Sequence, residues 1–412
     1  MKNIVVIGGG PAGLMAAITA AQKYDSASAL VTLVEKNERI GRKLMITGKG
    51  RCNVTNNCDV DTLIKNTPKN ARFLYSAFSK FTPQDVMDFF ENSGVPLKTE
   101  RGNRVFPVSD KAVDIVDALS KTAKKSGVKT VCGEVSGIVL NNGEIEAVTL
   151  KNGDQIKADA VVLATGGMSY PVTGSTGDGY KIAKALGHTV TDIKPSLVPL
   201  ECHEGFCSRL SGLSLKNVNL SVFEEGKKKP VFSEQGEMLF THFGISGPLV
   251  MSSSAYMRKM ESRHYTAVID LKPALDSEQL DKRILRDFAE QTNKDFLNSL
   301  DKLLPKSLIP VIVSLSGIEP HSKVNQISRE ERMRLVTILK GLTLNITGFR
   351  PIEEAIVTSG GISVKEINPA TMESKIISGL YFAGEIIDTD AFTGGFNLQI
   401  AFSTGYLAGS NI

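Results

Sequence analysis

The distribution of apolar positions along the chain predicts an α/β unit at its start. Residues 3–7 form a short, β-branched apolar run that ends in glycines, which is typical of a buried parallel strand. An Ala-rich segment at 12–24 predicts a helix, and a second apolar run at 31–35 predicts another strand. Together these segments form a βαβ unit of the usual length.

The pattern then indicates two helices and a group of strands. Thr82-Pro83, with Asp85 three residues after Thr82, has the features of a helix start with a capping box, and Gly94 ends that helix. Apolar residues recur with helical spacing over 109–125. From residue 128 the period changes to two, which predicts strands at 128–132, 134–140, 144–151 and 156–163, with hairpin turns at Asn142-Gly143 and Asn152-Gly153.

A change of composition at Pro195 and Pro199 predicts a domain boundary. The stretch 196–271 has strand-like patterns, whereas 276–340 predicts three helices, at 277–298, 303–315 and 328–340. Strand patterns return from about Leu342, and the chain closes with an apolar strand near 379–385 and a helix at 397–408. The two ends of the chain are therefore expected to share one domain, with an insert between them.

A glycine-rich turn after the first strand predicts a dinucleotide site. Gly8-Gly9-Gly10-Pro11-Ala12-Gly13 fits G-x-G-x-x-G, and the pattern gains meaning because it follows a strand and opens a helix. Phosphates would bind the N–H groups at the positive end of that helix. Glu35 follows Gly13 by 22 residues, at the end of the second strand, where a carboxylate can bind the ribose hydroxyls of an AMP group. A tight turn with a surface Glu is the structural alternative.

Further glycine-rich turns favour FAD over a nicotinamide dinucleotide as the tightly bound cofactor. Ala164-Thr165-Gly166-Gly167 ends one buried strand, and Gly384-Glu385, followed by Asp388, ends another. The turn Gly395-Phe396-Asn397-Leu398 opens the last helix, and its glycines would let the backbone approach a planar ring. A protein that bound only NAD would not need this C-terminal turn at the site. Ordinary strand-ending turns and an ordinary terminal helix are the alternatives.

Several longer motifs carry a resemblance to a known family. The loop with GRKL at 41–44 and GKGRCNVTN at 48–56 resembles the glycine-rich loop of bacterial NAD(P)/FAD-dependent oxidoreductases of the aminoacetone-oxidase type, a family that includes a bile-acid-pathway flavoprotein. Further matches lie at 104–107, 241–248, 358–361 and 368–409, so the resemblance covers essentially the whole chain. The sequence departs from the family at Lys49, where the loop more often carries Gly.

The resemblance implies an α/β fold with a discontinuous, glutathione-reductase-like Rossmann-type FAD-binding domain and an insert that is part β-barrel-like and part α-helical. The boundaries expected are 1–194 with 345–412 for the FAD-binding domain, 195–275 for the β-rich part and 276–344 for the helical part. Carried onto this sequence, the resemblance places Glu35, Arg42, Lys43, Val135, Thr165, Glu385 and the 395–398 turn against FAD. The full set of expected FAD contacts is Gly8, Gly10, Pro11, Ala12, Gly13, Glu35, Lys36, Arg42, Lys43, Asn53, Val135, Ala164, Thr165, Gly166, Gly384, Glu385, Asp388, Gly395, Phe396, Asn397 and Leu398.

Cysteine and histidine residues offer weaker candidates. Cys52 and Cys58 raise the alternative of a flavin disulfide reductase, but their spacing is C-x5-C where C-x4-C is expected. Cys202 and Cys207 have C-x4-C spacing but lie in the insert, outside a βαβ context. The five His residues show no metal-ligand spacing, so no metal is expected. His242 lies in a Gly-rich motif of the insert and is a weak candidate for a catalytic base or substrate hydrogen-bond donor, with a structural role as the alternative.

Composition adds limits on partners and location. A net charge of +4 over 412 residues gives no electrostatic case for a nucleic-acid partner, and the basic runs Lys121/Lys124/Lys125 and 227–229 are expected to be solvated faces. No stretch of 18 apolar residues occurs, so no membrane partner is expected. The five irregularly spaced cysteines and the short N-terminal apolar run, which does not resemble a signal peptide, favour a cytoplasmic protein. The oligomeric state stays open.

The function expected is that of an FAD-dependent oxidoreductase which acts on a small organic substrate by hydride transfer through flavin N5. No second G-x-G-x-x-G follows a strand, so NAD(P)H is expected only as a transient co-substrate and electron donor. Two alternatives remain open at this point: an amine oxidase that acts on an aminoacetone-like substrate with oxygen, and a non-catalytic flavin-binding protein that senses redox state.

Overall fold

A computed structural model of the chain describes residues 1–24 and 27–412. These residues form two compact units. The flavin unit, as we call it from its expected cofactor, comprises Met1–Ser196 and Pro351–Ile412, and the insert unit comprises Leu197–Arg350. The subdivision of the insert at residues 275 and 276 stays a prediction.

The strands and helices are short and follow one another closely. In chain order, the strands are β1 (Lys2–Ile7), β2 (Ala29–Glu35), β3 (Thr55–Asn56), β4 (Leu97–Glu100), β5 (Arg104–Pro107), β6 (Lys129–Cys132), β7 (Val135–Asn141), β8 (Glu144–Leu150), β9 (Gln155–Lys157), β10 (Ala160–Leu163), β11 (Lys194–Ser196), β12 (Leu200–Cys202), β13 (Ser214–Glu224), β14 (Phe232–Thr241), β15 (Gly244–Ser246), β16 (Tyr265–Asp270), β17 (Leu342–Phe349), β18 (Val357–Ser359) and β19 (Leu380–Phe382). The α-helices are α1 (Pro11–Lys23), α2 (Arg42–Ile46), α3 (Val60–Lys65), α4 (Tyr75–Lys80), α5 (Pro83–Asn92), α6 (Ala112–Lys125), α7 (Asp178–Ala185), α8 (Phe206–Arg209), α9 (Pro248–Ser254), α10 (Ser277–Ala289), α11 (Ile309–Ser316), α12 (Arg329–Lys340) and α13 (Phe396–Asn411).

A parallel sheet forms the centre of the flavin unit. Its order is β19-β10-β1-β2-β6, and all neighbouring strands run in the same direction. Ile4 and Val6 in the central strand are fully buried, as expected for a strand that is covered on both faces. The α/β class with a Rossmann-type parallel sheet, as expected above, is therefore confirmed.

The run at 156–163, predicted as one strand, is two strands. Gln155–Lys157 pairs with β8 in the three-stranded antiparallel sheet β7-β8-β9, whereas Ala160–Leu163 enters the parallel sheet beside β1. Between the two strands, the Asp159 carboxylate accepts hydrogen bonds from the backbone N–H and the side chain of Asn3. These bonds fix the point where the chain changes sheet, which a pattern of period two cannot reveal.

Local helix signals were good predictors of where helices start. Thr82 and Asp85 form the predicted capping box at α5, and Ser328 with Glu331 forms another at α12. The middle of the insert differs from expectation: the helix predicted over 277–298 ends at Ala289, and the one predicted from 303 begins only at Ile309. Pro310 lies in the first turn of that helix, where its missing N–H causes no loss, so an earlier start would place it in a helix interior.

The insert unit contains a closed barrel. The strand order is β12-β15-β14-β13-β16-β17, and the pairing of β12 with β17 closes the ring. Residues 218, 220 and 222 of β13 point inward and are buried, and alternate residues point outward. The barrel predicted for the insert is thus present. Among the described residues, we find no helix with the length and apolar character that crossing a membrane requires.

Candidate functional site

The turn between β1 and α1 has the geometry of a dinucleotide cradle. Gly8 has φ +110°, and a Cβ atom there would lie 2.5 Å from the carbonyl oxygen of Ala164. A Cβ atom at Gly13 would lie 1.9 Å from the carbonyl oxygen of Gly8. At Gly10, by contrast, a Cβ atom would meet nothing within 4 Å. The first and third glycines therefore permit close packing, and the second leaves open space in front of the first turn of α1, which begins at Pro11.

Glu35 is fixed at the end of β2, next to this turn. Its Oε2 accepts a hydrogen bond of 2.7 Å from the backbone N–H of Gly9, and its Oε1 accepts bonds of 2.9 and 2.6 Å from the backbone and side chain of Asn37. The half-buried carboxylate is thus oriented by the turn itself. Carboxylate oxygens can accept more than one hydrogen bond, so the group can still bind ribose hydroxyls.

Lys36 and Arg42, both predicted to contact the cofactor, have protein partners in the structure. The Nζ of Lys36 lies 2.6 Å from Oγ1 of Thr176 and 2.9 Å from Oδ2 of Asp178. Partial burial opposes ionisation of Asp178, but hydrogen bonds from Thr176 and Lys36 outweigh it and lower the pKa of Asp178 from 3.8 to about 2. Arg42 is exposed and donates to the side chain of Asn37. Their contact with FAD stays a prediction.

A half-buried ion pair joins two segments that were predicted separately. Lys43 Nζ lies 2.7 Å from Oε2 of Glu385 and 2.6 Å from Oγ of Ser169. The other carboxylate oxygen of Glu385 accepts hydrogen bonds from the backbone N–H of Thr358, at 2.7 Å, and from Ser169, at 3.1 Å. The network therefore ties α2 to the ends of β10, β18 and β19. It holds the Glu385 carboxylate in one orientation.

Two of the predicted FAD contacts carry a buried polar atom without a partner. Thr165 Oγ1 and Asn53 Oδ1 are buried and find no hydrogen-bond partner within the described part of the chain. Leaving such an atom unpaired costs about 1–3 kcal/mol. Both residues belong to the predicted FAD contacts, and FAD carries hydroxyl and N–H groups that can pair with them. The open cradle at Gly10 and the oriented carboxylate at Glu35 fit FAD. A Cβ atom at Gly179 of α7 would lie 2.0 Å from Thr165 Oγ1, so the pairing of this hydroxyl with the cofactor stays a prediction, as does that of Asn53.

Other predicted contacts lie near the ends of strands, either at buried positions or at glycines with positive φ. Val135 and Ala164 are buried, and Gly166 and Gly384 have φ of +74° and +77°. A Cβ atom at Gly384 would lie 2.7 Å from that of Ala12 in the first turn of α1. Asp388 is buried and forms an ion pair with Lys69.

The C-terminal turn has a packing role that the sequence did not indicate. A Cβ atom at Gly395 would lie 2.3 Å from the carbonyl oxygen of Thr55, so this glycine permits the close approach of β3. The Asn397 side chain donates to the carbonyl of Ala391 and accepts from its N–H, and so fixes the preceding loop. Phe396 is buried and Leu398 is half-buried against the core. Contact between residues 395–398 and the flavin stays a prediction.

The thiols do not favour disulfide chemistry at the flavin. Burial raises the pKa of Cys52 from 9.0 to about 12, and partial burial raises that of Cys58 to about 11. Thiols with such pKa values are rarely ionised and are poor nucleophiles near neutral pH. In the insert unit, a hydrogen bond between the thiols raises the pKa of Cys202 and lowers that of Cys207.

His242 is exposed and belongs to the insert unit, where its ring packs edge-on against Phe243, with the centroids 5.0 Å apart. The catalytic role suggested for it stays a prediction. Among the described residues, no group of three or more His, Cys, Asp or Glu side chains could hold a metal ion.

Sequence analysis missed the residues that orient the site. Asn37 holds Glu35, whereas Ser169 and Thr358 hold Glu385. Thr358 lies in a motif named in the family resemblance, which could have indicated a role. Thr176 and Asp178, which hold Lys36, lie in a glycine-rich segment at 174–179 that does not fit G-x-G-x-x-G. Ser169 gave no signal, because a single Ser after a glycine turn has no distinctive pattern.

Comparison with known proteins places the whole chain in one family. Residues 2–411 match the family model described as "HI0933-like protein Rossmann domain". A 3-dehydro-bile acid delta(4,6)-reductase of Clostridium scindens is 32% identical over 99% of this chain and 98% of its own length. A ribosomal RNA dihydrouridine synthase of Haemophilus influenzae is also 32% identical, over 99% of this chain and 98% of its own length. The protein of that name from Escherichia coli is 29% identical over 100% of this chain. These two names mean that a nucleic-acid partner is not excluded.

Proposed function

This chain belongs to the HI0933-like family of FAD-dependent Rossmann proteins, and from that premise we propose that it is a reductase which saturates a carbon–carbon double bond conjugated to a carbonyl group. The substrate class is a small, unsaturated carbonyl compound. In this proposal the hydride passes through N5 of FAD, and NAD(P)H is the electron donor.

The names of the relatives support this reaction type because they share one piece of chemistry. A delta(4,6)-reductase that acts on a 3-dehydro bile acid works on double bonds conjugated to a 3-oxo group. A dihydrouridine synthase saturates a uracil double bond that is conjugated to a ring carbonyl. Saturating a double bond of this kind adds a hydride to the electron-poor carbon, which is β to the carbonyl, or δ for the outer bond of a 4,6-diene. A proton then adds to the neighbouring α or γ carbon.

The observation that carries the proposal is the cradle at the start of α1, with its open space at Gly10 and the oriented carboxylate of Glu35. When bound there, FAD would supply the hydride. The helix N-terminus would bind the pyrophosphate, and Glu35 would bind the ribose of the AMP half. Thr165 and Asn53 would complete their hydrogen bonds on the cofactor.

The ion-pair network has a positioning role in the same proposal. Lys43, Ser169 and the Thr358 backbone hold Glu385, so its carboxylate cannot turn away from the ends of β10 and β19. Such a fixed group can bind a hydroxyl of the cofactor without losing side-chain freedom at that moment. The proton for the substrate has to come from another group. His242 keeps the role expected from the sequence, as a candidate base or substrate hydrogen-bond donor.

The experiment that tests the proposal follows flavin and substrate together. Heat should release FAD rather than FMN from the purified protein, because Glu35 and the α1 turn recognise an AMP group that FMN lacks. FAD in the protein is then reduced by NADH or NADPH without oxygen and mixed with a 3-oxo-4,6-diene steroid, with the matching saturated 3-oxo steroid as control. We expect the visible flavin band to return only with the diene, together with loss of the diene's ultraviolet band.

Other outcomes of this experiment would point to the alternatives. Rapid bleaching by an aminoacetone-like amine, with recovery only in oxygen, would replace the reductase by an amine oxidase. If neither the steroid nor the amine changed the rate at which the flavin is reduced or reoxidised, the result would favour a redox-sensing role. FMN alone, or a colourless protein that cannot be reconstituted with FAD, would contradict the proposal at its first step.

A second candidate is reduction of a uridine in ribosomal RNA. It is favoured by the relative from Haemophilus influenzae, which matches this chain as closely as the bile-acid reductase does. The same reduced protein, mixed with a uridine-containing RNA, would test it by the appearance of dihydrouridine. An RNA in which that uridine is already dihydrouridine is the matched control.

A further inference from the structure

One end of the barrel in the insert unit concentrates positive charge. Two segments form it. One is the turn between β13 and β14, residues 225–231, and the other is the last part of the connection from α9 to β16, residues 258–264. They are neighbours because Glu224 pairs with Tyr265 across the strands and the backbone N–H of Glu225 donates to the carbonyl of His264. We call the surface formed by these two segments the basic end.

The basic end carries most of the chain's excess charge. Counting Glu224, it holds six Lys and Arg side chains against three Glu, a net +3 in a chain whose total is +4. Lys227 is paired with the buried Glu224, at 2.7 Å. The other five cations are exposed, and within the described chain their side chains form no ion pair or side-chain hydrogen bond: Lys228, Lys229, Arg258, Lys259 and Arg263. Lys259 and Arg263 act electrostatically on Glu224 and help Lys227 to lower the pKa of that carboxyl. The cations still exceed the carboxylates by three, and a bound polyanion would relieve the repulsion among them.

A cavity opens beside these cations. It measures about 690 Å³ and is lined by residues 260–266, residues 345–347 of β17 and His203. Arg263, His264 and His203 contribute cationic or hydrogen-bonding side chains, and Glu261 is the carboxylate among its lining residues. The volume lies in the range of small-molecule sites, so it can accept one nucleotide-sized group.

The outer face of the barrel next to the basic end is polar and has one aromatic side chain. Phe223, Thr266 and Asn345 lie in one row across β13, β16 and β17, and the burial pattern of these strands places them on the outer face. A second row along β13 and β14 carries amide and hydroxyl groups that bond to one another, namely Asn217, Asn219, Ser221, Ser233 and Gln235. Such groups can pair with base edges and 2′-hydroxyls, and an aromatic ring can stack on a base.

The alternatives fit this surface less well. A membrane surface would call for large apolar side chains beside the cations, yet every exposed large apolar residue among those described lies outside 201–284. An acidic peptide would use the cations but not the row of amides and hydroxyls or the nucleotide-sized cavity. We propose that the basic end of the barrel and its cavity bind the sugar–phosphate backbone of single-stranded RNA. This replaces the expectation that the 227–229 run is only a solvated face and that the chain has no nucleic-acid partner.

The test compares two triple variants that lose the same charge. The first is K228Q/R263Q/K229Q, which leaves Lys227 in place so that buried Glu224 keeps its partner. The control is K121Q/K124Q/K125Q, which removes three lysines from one helix of the flavin unit. Binding of a fluorescein-labelled oligo(U) strand is measured by anisotropy over a series of salt concentrations, with the FAD-loaded protein and without electron donor or turnover.

We expect the first variant to bind oligo(U) about tenfold more weakly at low salt, and its slope of log affinity against log salt to be shallower by about 2, since each lost phosphate contact removes roughly 0.7 for a single strand. The control variant should change affinity less than about twofold. Phe223→Leu should weaken binding about fivefold with an unchanged salt slope, because stacking is not a counterion effect.

Equal losses in both triple variants would overturn the proposal, since they would mean that diffuse charge attracts the RNA. No binding at low salt would also overturn it. Binding of oligo(U) no tighter than that of poly-glutamate, or of phosphatidylserine vesicles, would assign the surface to a different anion. The binding assay needs no reductase activity, so the inference and the proposed function can fail separately.

Discussion

At the scale of single residues, the site depends on side chains that hold other side chains. Asn37 orients Glu35, and Ser169 with Thr358 orients Glu385. Lys49 is a different kind of residue, since it lies in the glycine-rich loop with φ +59° and ψ +40°, between Gly48 and Gly50, which also have positive φ. This left-handed region is costly for a residue with a Cβ atom. The strain explains why related loops more often have Gly at this position.

Lys49→Gly should therefore stabilise the protein. Relief of left-handed strain gains about 1–2 kcal/mol, and the greater freedom of Gly in the unfolded chain removes about 0.5–1 kcal/mol of that gain. We expect a net gain of about 0.5–1 kcal/mol, measured as a rise in the midpoint of thermal or urea unfolding of the FAD-loaded protein. Lys49→Ala is the control, because it removes the charge and keeps the Cβ atom. If Ala raised the midpoint as much as Gly, charge rather than backbone strain would be the cause.

At the scale of elements, the packing of α1 on α13 supports the cofactor cradle. A Cβ atom at Gly405 of α13 would lie 2.3 Å from the carbonyl oxygen of Ala12, and one at Gly409 would lie 2.4 Å from that of Ala16. The two helices therefore touch backbone to backbone along small residues. Ala12 belongs to the first turn of α1, so the C-terminal helix fixes the position of the turn that is expected to bind the pyrophosphate.

Gly405→Ala should destabilise the flavin unit and weaken FAD binding together. The added methyl group meets backbone atoms that cannot rotate away, and overpacking of this kind costs about 1–3 kcal/mol or more. Gly137→Ala in β7 is the matched control, because a Cβ atom there would meet nothing within 4 Å. FAD retention after gel filtration and the unfolding midpoint give the two readouts. A Gly405→Ala protein that kept both values would mean that α1 and α13 can separate at little cost.

At the scale of the whole molecule, the described residues of the flavin unit contain one nucleotide cradle, which bears on the proposed electron donor. The strand–glycine–helix arrangement occurs at β1 and α1, and the sequence has no second G-x-G-x-x-G after a strand. In the proposed reaction, NAD(P)H would therefore use a transient site without a nucleotide fold of its own. The insert unit adds a closed barrel whose basic end we assign to RNA, so the two units would carry different kinds of recognition.

Reduction by NAD(P)H should accordingly be slow and weakly saturable. We expect half-saturation towards the upper end of the usual range for enzymes, near 1 mM, with similar values for NADH and NADPH. Anaerobic stopped-flow measurement of flavin bleaching at increasing nucleotide concentration gives both constants. Tight and strongly NADPH-selective reduction would contradict the prediction, and it would indicate a dedicated nucleotide site in the insert unit.

The sequence was sufficient wherever a local pattern has one physical solution. The Gly8–Gly13 turn, the capping boxes at Thr82 and Ser328, and the β-strand and helix of the first βαβ unit all follow from backbone geometry within a few residues. The sequence was less informative where the structure depends on a partner far away in the chain, either for the pairing of a strand or for the contact of a side chain. The run at 156–163 divides between two sheets, and Lys43, predicted as a cofactor contact, pairs with Glu385, 342 residues away.

Local patterns in the sequence were enough for the α/β class, the dinucleotide turn and an insert with strands followed by helices, because each has a periodicity or a glycine pattern that sterics impose locally. The barrel was an expectation from the family resemblance, and the structure closes it by pairing β12 with β17. Three features became visible only in the folded chain. They are the residues that orient Glu35 and Glu385, the close backbone contacts that require glycine at 395 and 405, and the basic surface that residues 225–231 and 258–264 form together. These features arise from contacts between segments far apart in the chain, and such contacts leave no regular pattern along the sequence.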